Sequence, residues 1–131
     1  MRNNCYSGVV TTLAMSIMIG LLVLTPTATR AEQLPQVPAP GMVTMVDLGA
    51  KKCIPCKMMA PILAELEKEY QGRAAVIFID VWEKPEAGPK FGIRAIPTQI
   101  FYDAQGKEVT RHEGFLDKES IVTKFAQLGV R

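Results

Sequence analysis

The sequence is poor in the side chains from which metal centres and disulfide-stapled folds are built. Its 131 residues include one histidine, His112, and three cysteines, Cys5, Cys53 and Cys56. A structural zinc site needs four ligands, and small disulfide-stapled domains carry several bridges. Because His112 and Cys5 are both far in sequence from the other two cysteines, neither class is favoured.

The chain also lacks the surplus of basic residues expected of a nucleic-acid-binding protein. It has 15 Lys and Arg residues against 13 Asp and Glu residues. Two of the basic residues, Arg2 and Arg30, lie in the first 31 residues, and the remaining 100 residues carry equal numbers of each sign. With no excess of positive charge to neutralise phosphates, we expect no nucleic-acid partner.

Residues 1–31 have the pattern of an export signal. Arg2 supplies a positive charge, residues 9–24 form an apolar run, and Thr29 and Ala31 offer small side chains at the −3 and −1 positions of a cleavage site. The run is long for a signal peptide and slightly short for a membrane span. A cleaved signal peptide is therefore predicted, with an uncleaved N-terminal anchor as the alternative.

The motif Cys53-Ile54-Pro55-Cys56 is the most informative part of the sequence. Two thiols at this spacing can form and reopen a disulfide, which carries two electrons. Helix-forming residues begin at the second cysteine, so both thiols lie at a helix N-terminus, where unpaired N–H groups and the helix dipole favour the thiolate. Three lysines add positive charge nearby: Lys51, Lys52 and Lys57. Half a zinc site, a permanent structural disulfide and a Cu(I) site are the competing interpretations.

The rest of the chain alternates between strand and helix patterns. A proline-rich segment, residues 32–42, predicts an extended linker before a domain over residues 43–131. The predicted elements are a strand (43–48), a helix (56–71), a strand (74–80), a short helix (85–91), two strands (98–102 and 107–113) joined by a hairpin turn, and a last helix capped by Asp117. Residues 74–80 are apolar until the final aspartate, which is typical of a central parallel strand. The order β-α-β-α-β-β-α predicts an α/β fold.

From about Val46 onward the chain resembles the thioredoxin family. The segments that carry the resemblance are Val46-Asp47, Cys53 to Lys57, Ala60 to Leu63, Pro89 to Thr98, the Gly106 turn and Gly114. The resemblance implies a minimal thioredoxin-like fold, with a central mixed four-stranded sheet flanked by helices. It places the cysteines at the start of a helix that Pro61 should kink.

The motif and the resemblance together suggest roles for individual residues. Cys53, nearest the open end of the helix, is the expected nucleophile, and Cys56 is the expected resolving thiol in a Cys53–Cys56 disulfide. Asp47 resembles the family's buried acid, which can exchange a proton with Cys56, and Pro97 resembles its cis-proline opposite the cysteines. The expected substrate-binding residues are Ile54, Pro55, Ile96 and Gly114.

The sequence departs from the family in two places. Val76 occupies the position of a lysine that often accompanies the buried acid, so Asp47 should be harder to ionise. Gly49 and Lys52 occupy positions that are commonly tryptophan, so the site should be more open and more positive.

We expect an exported thiol–disulfide oxidoreductase, monomeric and without a bound cofactor or metal, in the periplasm or another extracytoplasmic compartment. A protein-disulfide reductase is favoured because Ile54 and Pro55 offer the thiolate no side-chain donor. Its expected partners are cysteine-containing exported proteins and a membrane electron donor. The alternatives are a Cu(I)-binding chaperone, a disulfide oxidase or isomerase, and a module that uses the fold only to bind a partner.

Overall fold

The computed structural model of the chain describes residues 33–131. The predicted export signal, residues 1–31, and Cys5 lie outside the described residues. Within residues 33–131, no helix has the length and apolar character needed to cross a membrane.

Four strands and three helices follow one another in the predicted order. They are β1 (Val43–Gly49), α1 (Ile54–Glu69), β2 (Ala74–Asp80), α2 (Ala87–Phe91), β3 (Thr98–Tyr102), β4 (Glu108–Glu113) and α3 (Lys118–Gln127). The sheet order is β2-β1-β3-β4, with β1 parallel to β2 and the other neighbouring strands antiparallel. The predicted α/β fold with a mixed four-stranded sheet is confirmed.

Strand β1 is one of the two inner strands of the sheet, and helices cover both of its faces. All seven of its residues are buried. On one face, Met45 belongs to a core cluster with Met59 of α1 and Phe125 of α3. On the other face, Leu48 packs in a cluster that includes Phe91 of α2. Since side chains alternate along a strand, Asp47 and Gly49 share the face of Met45, toward α1.

Strand β2 lies at one edge of this four-stranded sheet, so the prediction that it is a central strand is wrong. Its apolar sequence has a different cause, which is that both faces are partly covered. Val76 packs on the cluster containing α1 and α3, while Ile77 and Ile79 belong with the opposite cluster. Phe78 remains 39% exposed beside the open edge.

The proline-rich segment before β1, for which an extended linker over residues 32–42 is predicted, packs on the domain. Leu34 and Val37 are partly buried against the cluster that contains Phe91. The backbone N–H of Ala39 donates to Thr44 Oγ1 at 3.0 Å. These apolar side chains gain more from contact with the sheet than an extended conformation in water would allow.

Candidate active site

The two cysteines lie where the loop after β1 enters α1. Cys53 is the N-cap residue, with extended backbone angles, and Cys56 lies in the first turn. They form a disulfide with a Cα–Cα distance of 5.2 Å. Cys53 is half-buried, whereas Cys56 is 4% exposed. As predicted, Cys53 is the more exposed of the two thiols and Cys56 is the buried one.

The first turn of α1 offers backbone donors to a thiolate at Cys53. No side chain of residues 33–131 caps this helix end, and no acidic residue lies in its first turn. The first N–H groups of a helix lack intrahelical partners, and they stabilise negative charge placed next to them. An uncapped N-terminus is therefore suited to a cysteine whose reactive form is the thiolate.

The predicted positive surroundings of the cysteines are partly offset by an acidic neighbour. Lys51, Lys52 and Lys57 are exposed, but Lys51 Nζ forms an ion pair with Glu83 at 2.9 Å. Lys52 and Lys57 flank the motif in sequence.

Gly49 lets α1 approach the end of β1. A Cβ atom added to Gly49 would lie 3.2 Å from Cys56 Sγ and 3.2 Å from a ring carbon of Phe78. Cys56 thus lies against the last residue of β1. Asp47 precedes Gly49 by two residues, so its side chain points to the same face of the sheet as Cys56.

Asp47 is a buried carboxyl whose only hydrogen bond to the described residues comes from β3. It is 0% exposed, and Gln99 Nε2 donates to Asp47 Oδ1 at 2.7 Å. The second oxygen, Oδ2, has no hydrogen-bond partner among the described residues. Burial raises the pKa of Asp47 to about 6, while the hydrogen bond from Gln99 acts to lower it. This carboxyl can gain or lose a proton close to neutral pH.

Val76, which occupies the position of the family's lysine, lines an apolar cleft. Val76 and Phe78 of β2 line a cleft of about 310 Å³ with Cys56 and Leu63. A valine there supplies no cation to stabilise the Asp47 carboxylate, in line with the raised pKa.

The predicted substrate-binding residues are brought together at the same end of the sheet. Thr98 pairs with Leu48, so Pro97 lies at the end where Gly49 meets Cys56, and the Ile96–Pro97 peptide bond is cis. The backbone N–H of Gly114 donates to the Pro97 carbonyl at 2.8 Å. Ile96 is half-buried, and Ile54 and Pro55 are exposed. The roles assigned to them remain predictions.

Two residues that support the site were not singled out from the sequence. Gln99 is one, because a glutamine within an apolar strand gives no sign of which residue it faces. Asp80 is the other: it is buried and accepts hydrogen bonds from the backbone N–H groups of Lys51, Trp82 and Glu83 at 2.9, 2.9 and 3.2 Å. An aspartate at a strand end just before a turn is the signal that could have identified it.

Asp80 ties the cysteine-bearing loop to β2. Its bond from Lys51 joins the loop to the strand two residues before Cys53, and Val81 N–H donates to the Gly49 carbonyl at 2.9 Å. Burial acts to raise the pKa of Asp80, but the backbone hydrogen bonds and the charge of Lys51 outweigh it and lower the pKa. The carboxylate therefore stays ionised and holds the loop at neutral pH.

Comparison with known sequences agrees with this geometry. A family model described as thioredoxin matches residues 27–127. Thioredoxin from Staphylococcus saprophyticus is 42% identical over 79 residues, which cover 60% of this chain and 75% of the relative. Thioredoxin from Staphylococcus aureus is 40% identical over a stretch with the same coverage.

Comparison with solved structures gives the same result. Chloroplastic thioredoxin z is similar with a TM-score of 0.60 and 32% identity, covering 68% of this chain and 80% of that one. A pneumococcal exposed lipoprotein thioredoxin from Streptococcus pneumoniae has a TM-score of 0.59 at 23% identity, covering 66% of this chain and 85% of that one, and shows the fold alone. With a family model that covers most of the chain and a cysteine pair at the start of α1, this chain belongs to the thioredoxin family and is a thiol–disulfide oxidoreductase.

Proposed function

We propose that this oxidoreductase works outside the cytoplasm as a reductant of disulfides in exported proteins. The observation that carries the direction is the composition of the first turn of α1. Ile54 and Pro55 separate the cysteines, and among the described residues no side chain caps the helix. A Cys53 thiolate stabilised by backbone donors and nearby lysines alone is less favoured than one with an added side-chain donor, which makes the disulfide less oxidising.

The proposed reaction begins at Cys53. Its thiolate attacks one sulfur of the partner's disulfide, forming a mixed disulfide and releasing the partner's first thiolate. Ile54, 76% exposed beside the nucleophile, supplies apolar surface for the partner chain. The backbone of Ile96 and the segment joined by Pro97 and Gly114 are proposed to bind that chain at the same edge.

The second step uses Cys56 and Asp47. Asp47 accepts the Cys56 proton, and the Cys56 thiolate attacks Cys53 Sγ. The mixed disulfide breaks, the Cys53–Cys56 disulfide forms, and the partner leaves with its second sulfur as a thiolate that takes a proton from water. Two electrons have then passed to the partner, and a membrane dithiol donor returns two electrons to this pair.

The direction is tested by equilibrating the Cys53–Cys56 pair with glutathione and with a strong dithiol. A reductant keeps its disulfide in a modest excess of glutathione, is reduced by the dithiol, and then reduces the disulfides of insulin. A pair that a modest excess of glutathione reduces, in a protein that rapidly oxidises unfolded dithiol substrates, would make it an oxidase.

Location and partners are tested in cells. Residues 1–31 fused to a reporter enzyme that is active only outside the cytoplasm should give activity, and a reporter that stays inactive would overturn export. A Cys56→Ser protein should accumulate as mixed disulfides through Cys53, and the proteins it holds should be exported ones with cysteine pairs. Cytoplasmic proteins in those complexes would contradict the proposal.

A further inference from the structure

Gln99 is a buried amide placed directly against the buried acid. Asp47 and Gln99 are cross-strand partners in the β1–β3 pairing, and both side chains are 0% exposed. A buried amide without its full set of hydrogen bonds costs stability, on the order of 1–3 kcal/mol for an unsatisfied group. Gln99 Oε1 has no partner among the described residues, so packing alone gives little reason for a glutamine here.

The two oxygens of Asp47 differ in their hydrogen bonding. Oδ1 accepts from Gln99 Nε2 at 2.7 Å, whereas Oδ2 has no partner in the described part of the chain. An amide N–H that donates to one oxygen stabilises the carboxylate over the acid and fixes the orientation of the group. The unpartnered oxygen is the one able to take up a proton.

Asp47 has one ionised neighbour on β2, the carboxylate of Asp80. On β2, Phe78 is its pairing partner, with Val76 and Asp80 two residues to either side. Asp80 is engaged by backbone N–H groups at the strand end.

Side chains that can carry charge also lie on β4 and α1. His112 of β4 pairs with Gln99, and its Nε2 lies 3.1 Å from the Phe115 carbonyl oxygen. On α1, Cys56, Lys57 and Glu67 line the cleft beside Val76 and Phe78. Burial and the Gln99 hydrogen bond are the influences that set the pKa of Asp47.

We propose that Gln99 is a positioning residue for the resolving step, one that holds Asp47 Oδ1 and favours the carboxylate so that Oδ2 can take the proton of Cys56. Val76 supplies no cation to stabilise the Asp47 carboxylate, and the neutral N–H donor of Gln99 stabilises it instead. This inference rests on the proton-acceptor role proposed for Asp47.

The test replaces Gln99 with methionine, which has a similar size and no N–H donor. Methionine cannot donate to Asp47 Oδ1, so the ionised carboxylate loses the hydrogen bond that stabilises it. The Q99M protein should therefore need a more alkaline pH to ionise Asp47. The midpoint of the pH profile for resolution of the mixed disulfide should rise by about one pH unit. The rate at pH 7 should fall several-fold and recover when the pH is raised above the new midpoint.

A second readout does not depend on activity. The carboxyl carbon of Asp47 is followed by NMR in reduced wild-type and Q99M protein, and its titration should move to higher pH in the variant. The matched control is Thr44→Val, which removes another fully buried polar side chain of the sheet. Thr44 bonds to Ala39 and Met42, so T44V should lower stability without moving either midpoint.

The outcomes separate this inference from the proposed function. An Asp47 titration and a rate profile with wild-type midpoints in Q99M would overturn the role of Gln99, even if Asp47→Asn still slowed resolution. A wild-type protein without reductase activity would overturn the proposed function, while the NMR titration would still decide whether Gln99 favours the carboxylate. If Q99M does not fold, Gln99→Leu is used for the same two measurements, and equal midpoints there count against the proposal.

Discussion

Gly49 and Cys56 are so close that a Cβ at position 49 would lie 3.2 Å from the cysteine sulfur. This contact brings the start of α1 against the end of β1. It places the resolving cysteine on the same sheet face as Asp47, two residues earlier in the strand. The effect of glycine here is one of close packing, because its backbone has no positive φ angle that would favour glycine for conformational reasons.

The first prediction follows from that contact. Gly49→Ala should lower the free energy of unfolding of the oxidised protein by about 1 kcal/mol or more, because Cys56 and Phe78 must move to admit the methyl group. The matched control is Gly88→Ala, where the added methyl would meet no atom of the described residues within 4 Å beyond the backbone of its own helix and its chain neighbours. Urea unfolding should show a loss for G49A and no loss for G88A, since alanine is the better helix former at position 88. Equal effects would show that the close approach has no energetic weight.

The second prediction concerns the two thiols. In the reduced protein, iodoacetamide at pH 7 should modify Cys53 rapidly and Cys56 slowly, because only Cys53 is accessible and next to the open helix end. Mass spectrometry of quenched samples gives both rates. The control is the protein unfolded in urea, where the two cysteines should react alike. Equal rates in the folded protein would contradict the assignment of Cys53 as the nucleophile.

The third prediction is a trade between stability and activity at Asp47. Its pKa is raised to about 6 in the folded protein, against about 3.9 in an unfolded chain. The folded state therefore binds more protons between these values, and stability falls as the pH rises through that window. Asp47→Asn removes this penalty and should be more stable than wild type at pH 7, by on the order of 2–3 kcal/mol.

Asp47→Asn should also slow resolution of the mixed disulfide about tenfold or more, since the proton acceptor is lost. Unfolding by urea at pH 3.5 and pH 7 checks the first effect, because the gain in stability should shrink at the lower pH. A variant that is no more stable than wild type at pH 7 would mean that the carboxyl is not held in a costly buried state.

The fourth prediction concerns Asp80, whose pKa is lowered in the folded protein. Asp80→Ala should destabilise the protein at pH 7 by about 1–3 kcal/mol, since three backbone N–H groups lose a charged acceptor. The depressed pKa means that this stability is present above the unfolded pKa and is lost as the pH falls through the folded one. The difference between variant and wild type should therefore shrink under acid conditions.

The control for Asp80 is Asp103, which accepts hydrogen bonds from the backbone N–H groups of Gln105 and Lys107 in the hairpin turn. Asp103→Ala should also reduce stability. Only Asp80→Ala should also slow disulfide reduction, because only Asp80 holds the loop that carries Cys53. Equal catalytic rates in the two variants would separate Asp80 from the site.

Local patterns were enough to predict the elements themselves. The apolar run before the cysteines, the helical spacing after them and the Asp103–Gly106 turn each depend on neighbouring residues, and strand β3 has the bounds that its pattern predicts. Cap and turn residues carry the same kind of local information: Asp117 accepts from the N–H of Ser120, as expected of an N-cap. The cysteine motif also depends on spacing alone, since a helix start and two thiols suffice to suggest its chemistry.

Relationships between distant segments were decided by the tertiary structure. The apolar sequence of β2 suits a central strand or a partly covered edge strand equally well, because periodicity reports burial of the faces and not the number of neighbours. The packing of Leu34 and Val37 on the sheet was hidden by the proline content of their segment. The identity of the residue facing Asp47 depended on strand register, which pairs Asp47 with Gln99 across 52 residues of chain. The sequence by itself determined that two thiols lie at a helix start, while only the folded sheet decided which amide orients the acid on their face.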